Sequence, residues 1–340
     1  MKTIKDIAKA LNMSPSTVSR ALHNEDKISL FTRERVRAYA DKINYKPNHF
    51  AQSLRKQRSL SVGVVLSSIP NSFFAEVING IESVMNSKGY FTIITQSHES
   101  YAKELSNIGH LASRAIDGLL VSVASETKDF THFKALQDMG MPVVFFDRTI
   151  SEFPTHQLVS DGFKGSYLLT QHLIEHGYTR IAHITGAPHL STTQERLGGY
   201  KRALQEAGIA YNPSFVKYTM RGGMSEEENQ YAFAQLMTAQ EKPEAITTAS
   251  DRLTLSIFSL AIEKGFAIPQ ELAMGGFNNF PGTHLFSPSL TSIQQPAFEM
   301  GKTAAEMLIE LIERKKNTPA AYTVKQLQPR LLLGNSTLKK

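Results

Sequence analysis

The sequence predicts a small all-α helix-turn-helix head followed by a larger α/β core of two parallel-sheet subdomains. Three observations carry that prediction. Apolar residues recur at helical spacing in three short segments before residue 44. From residue 60 onward, short β-branched runs alternate with amphipathic stretches, and the cycle restarts near residue 180. The charge is divided in the same place: residues 1–60 hold 13 of the 37 Lys+Arg and 5 of the 31 Asp+Glu, a net of +8, and the remainder carries −2. A basic block of that size is the electrostatic footprint of phosphate binding.

Within the head, Ile4, Ile7, Ala8 and Leu11 form the first helical face, with Thr3 placed to cap it and Asp6 in its first turn. Asn12 breaks the pattern with a residue that tolerates the left-handed conformation of a tight turn. Ser14 and Pro15 then suit the N-cap and first position of a second helix running through Leu22. A third helical pattern spans about Thr32 to Ile43. Two short helices around a tight turn, backed by a third, describe a helix-turn-helix.

The residues themselves, Thr3-Ile4-Lys5-Asp6-Ile7-Ala8, Met13-Ser14-Pro15-Ser16-Thr17-Val18-Ser19-Arg20 and Asn44-Tyr45-Lys46-Pro47-Asn48, resemble the head of the LacI/GalR family of bacterial transcription regulators. Asn12 departs from the glycine usual there. The resemblance implies that Pro15, Ser16 and Arg20 face the DNA major groove, where Arg20 is suited to a bidentate pair with guanine. It places Ser14, Thr17 and His23 on the DNA backbone. It makes residues 47–59 a hinge helix and linker, in which Leu54 wedges into a minor-groove base step. Ala51 permits close approach of the two hinges, and Arg55 supplies basic charge at the segment's end.

The body follows as strand candidates Ser61–Leu66, Phe91–Thr95, Gly118–Val121, Pro142–Phe146, Arg180–Ile184, Ala245–Thr248 and Leu272–Gly276. Helices are expected at about Phe73–Lys88, Thr193–Ala207 and Leu253–Lys264. Strands alternating with helices mean parallel sheets covered on both faces, with ligands binding outside the carboxyl ends of the strands.

Asp117-Gly118, Gly177-Tyr178, Arg196 through Tyr200, and Pro288-Ser289-Leu290-Thr291-Ser292-Ile293 with Gln295-Pro296 resemble the type I periplasmic-binding-protein-like core of the same family. The likeness therefore covers essentially the whole chain. It implies a helix-turn-helix domain over 1–46 and an effector-binding and dimerisation core over 60–340. Within the core, an N-subdomain of about 60–160 and 291–318 joins a C-subdomain of about 161–290 and 319–340, with crossings near Ser160, Leu290 and Pro319. Effector-binding residues implied by the likeness are Phe73, Phe74, Asp147, Thr192, Arg196, Asp251 and Asn278. Phe74 reads equally as core packing, and Asp251 equally as a helix N-cap. Asn278 stands where many members carry aspartate, and Leu190 where purine-responsive members present arginine.

Other chemistries find less in the sequence. His172-Leu173-Ile174-Glu175-His176 spells H-x-x-E-H, a zinc-hydrolase pattern, but Gly177 ends the helix at once and no third ligand is placed. Walker A, G-x-G-x-x-G and G-x-S-x-G patterns are missing, so an enzyme is not expected, and neither a metal nor another cofactor is. A solute-binding protein would fit the body but not the basic head, and the opening MKTIKDIAKAL lacks the apolar region of an export signal. With no cysteine and no long apolar run, the chain is expected in the cytoplasm, away from membranes. The reading is a ligand-responsive, sequence-specific transcriptional regulator, a repressor of a carbohydrate-use operon. It would bind a roughly palindromic operator as a homodimer and answer to a sugar or sugar derivative. The alternative effector is a non-sugar metabolite such as a nucleoside.

Overall fold

The computed structural model describes residues 3–22, 27–45, 58–314 and 321–338, and it divides the chain into two compact units, residues 1–59 and 60–340. In the first unit, helix α1 (Ile4–Leu11) opens on a reciprocal cap: the Asp6 amide donates to Thr3 Oγ1 at 3.4 Å and the Thr3 amide to Asp6 Oδ2 at 2.7 Å. Asn12 ends it at φ 53°, in the left-handed region, with its amide turned back to the Ala8 and Lys9 carbonyls. Helix α2 (Pro15–Leu22) follows after the three-residue turn Asn12-Met13-Ser14. Helix α3 (Leu30–Lys42) starts two residues earlier than expected, because Ser29 caps it by accepting the Thr32 amide at 3.3 Å. Ile7, Ala8, Leu11, Val18, Ala21, Val36 and Ala40 close a small core among the three helices.

Among the described residues, the second unit holds two six-stranded sheets. The first is built from β1 (Ser61–Leu66), α4 (Ser72–Ser87), β2 (Phe91–Gln96), α5 (Tyr101–Ser113), β3 (Gly118–Val121), α6 (Thr131–Asp138), β4 (Val143–Phe146) and β5 (Gln157–Ser160). The chain then builds the other lobe with α7 (Gly162–Glu175), β6 (Ile181–Thr185), α8 (Ser191–Glu206), β7 (Val216–Tyr218), α9 (Glu226–Met237), β8 (Ala245–Thr248), α10 (Asp251–Glu263), β9 (Ala273–Phe277) and β10 (Thr291–Gln294). It returns through α11 (Ala297–Glu313) and finishes with β11 (Val324–Leu327) and β12 (Arg330–Leu332). Strand order is β11-β5-β4-β3-β1-β2 in one sheet and β12-β10-β9-β8-β6-β7 in the other. Among the described residues every pairing is parallel except that of β10 with β12. The runs of the central strands are buried at every position, as a sheet covered on both faces demands.

Two of the expected crossings move. Thr291–Ile293 pairs with Gly275–Phe277 of β9, so the second crossing falls at Gln295-Pro296 rather than near Leu290. Val324–Leu327 pairs in register with Gln157–Ser160, so the third falls at Gln328-Pro329 rather than near Pro319. Residues 291–294 therefore sit in the C-lobe sheet and 324–327 in the N-lobe sheet. Which sheet receives a strand is set by backbone pairing, and β11 is an edge strand too exposed to show a buried face in its sequence.

Two helix pairs pack at backbone distance. A Cβ on Gly80 of α4 would stand 2.0 Å from the Phe298 carbonyl of α11, and one on Gly301 would stand 1.9 Å from the Val77 carbonyl. Gly199 of α8 meets the Phe163 carbonyl of α7 in the same way, at 2.0 Å. Only glycine permits such approach. Around the α4–α11 contact, Val77, Ile81, Met300, Ala304 and Leu308 bury the face of the first sheet.

Candidate functional site

In the head, α2 turns Val18 and Ala21 inward and leaves Pro15, Ser16 and Arg20 exposed, which aligns these three residues on the solvent side of the helix. Ser14 is also exposed, but its hydroxyl is engaged: Oγ accepts the Thr17 amide at 3.1 Å and lies 2.8 Å from both the Ser16 and Thr17 hydroxyls. Ser14 is thus the N-cap of α2. Thr17 is half-buried beside it. The remaining head assignments, His23, Ala51, Leu54 and Arg55, lie outside the described residues. One feature that spacing did not signal is the pair Leu30 and Phe31, 70% and 73% exposed at the start of α3.

In the core, the carboxyl ends of the strands converge on a cleft between the lobes. Six of the seven expected effector residues line it. Phe73 and Phe74 come from the first turn of α4, where Asn71 caps the helix by accepting the Phe73 amide at 2.9 Å. Their rings meet edge-on at 5.2 Å, and Phe74 also packs edge-on against Phe146, so it serves cleft wall and core together. Asp147 follows β4, Thr192 and Arg196 come from α8, and Asp251 opens α10.

Asn278 is the exception. It is buried, its Oδ1 accepts the Phe280 amide at 2.7 Å, and it does not line the cleft. The turn after β9 takes its side chain as a local brace. Its neighbour Asn279 does not line the cleft either but supports its wall from behind, donating its backbone amide to Asp251 Oδ1 at 2.5 Å.

The cleft is densely charged, and Glu99, Asp147, Arg196 and Asp251 in its wall are buried. Asp147 adopts φ 60°, a left-handed conformation that costs a non-glycine residue energy and that recurs at functional positions. Burial pushes its carboxyl above the ordinary aspartate range, against the opposing pull of Arg148 and Arg196. Burial pushes the Asp251 carboxyl up to about 6, opposed by the Asn279 amide and Arg196. Arg148 pairs with Glu99 at 2.5 Å, and Glu99 also accepts the Ser125 amide at 2.8 Å. Burial alone would raise Glu99; the Arg148 charge and the hydrogen bonds outweigh it and hold that carboxyl below its usual value.

Arg196 lies over the Phe277 ring at 4.1 Å and donates to the Ala249 carbonyl and to Gln295 Oε1, leaving its buried Nε without a protein partner. The Thr185 hydroxyl, also on the cleft wall, is likewise buried and unpartnered. Arg252 crosses from the C-lobe to donate to Ser68 Oγ at 2.7 Å and the Pro70 carbonyl at 3.1 Å.

Sequence reasoning missed Glu99, Arg148, Thr185, Arg252 and Gln295. Arg148 and Arg252 each follow a predicted aspartate, Gln295 lies in a stretch that carries the family resemblance, and Thr185 directly follows the expected strand Arg180–Ile184; Glu99 has no local signal. The H-x-x-E-H residues have structural roles: His172 Nε2 lies 2.8 Å from Thr337 Oγ1, and His176 Nδ1 is 2.7 Å from the His172 carbonyl. Among the described residues no group of three His, Cys, Asp or Glu is placed to hold a metal ion, and no helix is long and apolar enough to cross a membrane.

Two family models match the chain. Residues 3–48 match bacterial regulatory proteins of the lacI family, and residues 59–329 match periplasmic binding proteins and the sugar-binding domain of the LacI family. The chain is 30% identical to the HTH-type transcriptional repressor PurR of Vibrio campbellii, over 100% of this chain and 99% of that protein. It is 31% identical to the repressor of that name from Vibrio parahaemolyticus, with the same coverage. Among solved structures it is similar to a ribose operon repressor from Burkholderia thailandensis (28% identity, 81% of this chain and 99% of that one, TM-score 0.72). It is also similar to the regulator CelR in complex with cellobiose (26% identity, 99% and 100%, TM-score 0.72). The fold matches that of the lac repressor dimer bound to operator, at 22% identity over 99% of each chain and TM-score 0.84.

Proposed function

Because the chain belongs to the LacI family of bacterial regulatory proteins, we propose that it is a ligand-responsive, operator-binding repressor whose effector is a sugar or sugar derivative held in the interlobe cleft. The head supplies sequence readout through the exposed face of α2, with Pro15, Ser16 and Arg20 toward base edges and Thr17 near phosphates. Two heads on a two-fold dimer fit a roughly palindromic operator.

One observation carries the effector reading. Buried carboxylates (Asp147, Asp251), donors without a protein partner (Arg196 Nε, Thr185 Oγ1) and the aromatic pair Phe73–Phe74 line a single cleft. A ring bearing several hydroxyls satisfies acceptors and donors together and offers an apolar face to phenylalanine. Leu190 on the same wall is apolar where purine-responsive members are expected to carry arginine, which favours the carbohydrate over the nucleoside. Ligand closing the lobes changes the disposition of the crossings, and with it the DNA-binding form.

The test is a thermal-shift screen of D-ribose, cellobiose, sugar acids and nucleosides. It is followed by operator binding, with the operator selected from a random DNA pool by the protein itself. A carbohydrate should raise the melting temperature and change operator affinity. A response confined to nucleosides would replace the carbohydrate reading, and a chain that selected no DNA would remove the repressor reading.

A further inference from the structure

Four buried residues from four different segments form one hydrogen-bonded chain, with Arg196, Asp251 and Gln295 on the cleft wall and Asn279 behind it. Asp251, at the start of α10, accepts the Asn279 amide at 2.5 Å. The Asn279 side chain then grips the main chain of Gln295 on both sides: Nδ2 donates to the Gln295 carbonyl at 2.7 Å and Oδ1 accepts the Gln295 amide at 3.1 Å. Gln295 Oε1 in turn accepts from Arg196 Nη2 at 3.1 Å. Asp251, Asn279, Gln295 and Arg196 are 5%, 7%, 4% and 7% exposed, so these bonds are shielded from competing water.

Gln295 opens the second crossing, the two residues Gln295-Pro296 between β10 and α11. The carbonyl held by Asn279 also accepts the amide of Ala297, the first residue of α11. Helix α11 is locked to α4 by the Gly80 and Gly301 contacts, which leave no room for sliding without a backbone clash. Helix α4 carries Phe73 and Phe74 at its start. The two walls of the cleft are therefore joined by a continuous rigid route from Arg196 and Asp251, through Asn279 and Gln295, into α11 and α4.

We infer that Asn279 is a positioning residue and that its clamp on Gln295 is the joint through which occupancy of the cleft is felt at α11. The inference rests on the effector reading of the cleft for its physiological meaning, but the joint itself is testable without a ligand.

The experiment is amide hydrogen exchange on the full chain at Met300–Thr303, with the cleft perturbed by D251N, in the presence and absence of N279A. In the otherwise unmodified chain D251N should change protection at these amides by about fivefold or more, and N279A should abolish that response. If α11 ignores D251N, or responds equally with N279A present, the joint is overturned. Should N279A fail to fold, N279D replaces it, keeping an acceptor for the Gln295 amide while removing the donor to its carbonyl.

A second arm uses D-ribose and cellobiose as probes. N279A should leave the Kd of a binding probe within about threefold while the probe's effect on operator affinity falls toward none. A probe bound more than about tenfold more weakly with its effect on operator unchanged would make Asn279 mere support for the site, and would overturn the joint. If neither probe binds the unmodified chain, the carbohydrate reading loses its support, and the exchange arm still decides the joint.

Discussion

The Arg148 guanidinium meets the Glu99 carboxylate at 2.5 Å in the wall of the cleft, and both side chains are largely withdrawn from water. Removing one partner of such a pair leaves a buried charge without its counterion, which costs about 3–5 kcal/mol. Arg148→Met should therefore destabilise the core by about that amount in urea denaturation. Adding Glu99→Gln should restore much of the loss, because the stranded charge is gone. A double variant no better than R148M would show that packing, and not charge, holds this wall.

Asp251 gives a pH signature. Its folded carboxyl is pushed up to about 6, above the ordinary 3.8. A group raised in the folded state contributes stability below its unfolded value, and that contribution is lost as pH rises through the folded value. The penalty grows between about pH 4 and 6 and reaches at most ~3 kcal/mol. Asp251→Asn should flatten the dependence of unfolding free energy on pH across this window. An unchanged slope would place the titration elsewhere, with buried Asp147, also raised, the first candidate.

Gly301→Ala tests the helix lock. The new Cβ would stand 1.9 Å from the Val77 carbonyl, a backbone atom that cannot rotate away. Helices α4 and α11 must separate, at a cost of about 3 kcal/mol or more. Gly89, at φ 75° with open space around it, supplies the contrast: G89A acts through backbone strain alone and should cost about 1–2 kcal/mol. Thermal unfolding of the two variants separates steric from conformational effects. Equal losses would mean that the close approach of the helices adds nothing.

For the head, Arg20→Ala should relax base preference at one position of each half-site and cost about 1–3 kcal/mol of specific binding. Selection from random operators, repeated at two salt concentrations, reads it. A uniform loss over all sequences with a shallower salt dependence would reassign Arg20 to the phosphates.

The sequence alone determined more of the head than of the cleft. Capping residues, a turn-forming asparagine and period-3.6 apolar positions are local signals, and α1 and α2 begin and end where Thr3, Asn12, Ser14 and Pro15 place them. The buried strands β1, β3, β4, β6 and β8 were legible for the same reason: a strand covered on both faces must be apolar along its length. Strands β5, β10, β11 and β12 were not separately legible. They are short or exposed, and their sheet membership is a matter of long-range pairing, which is why two crossings fell several residues from their expected places.

The same division runs through the candidate site. Phe73, Asp147 and Asp251 stand at the end of a strand or the start of a helix, positions that the topology turns toward one cleft, and Arg196 is implied by the family likeness. Asn278 and Asn279 are adjacent and chemically identical, and nothing local distinguishes the one that braces a turn from the one that clamps Gln295. Glu99 and Arg148 lie 49 residues apart and Arg196 and Gln295 99 apart, so their partnerships exist only once both sheets are assembled. The sequence determined which residues could form helices, strands and charges. Tertiary structure decided which charges are buried and which partners they find, because burial and pairing depend on every element packed around them.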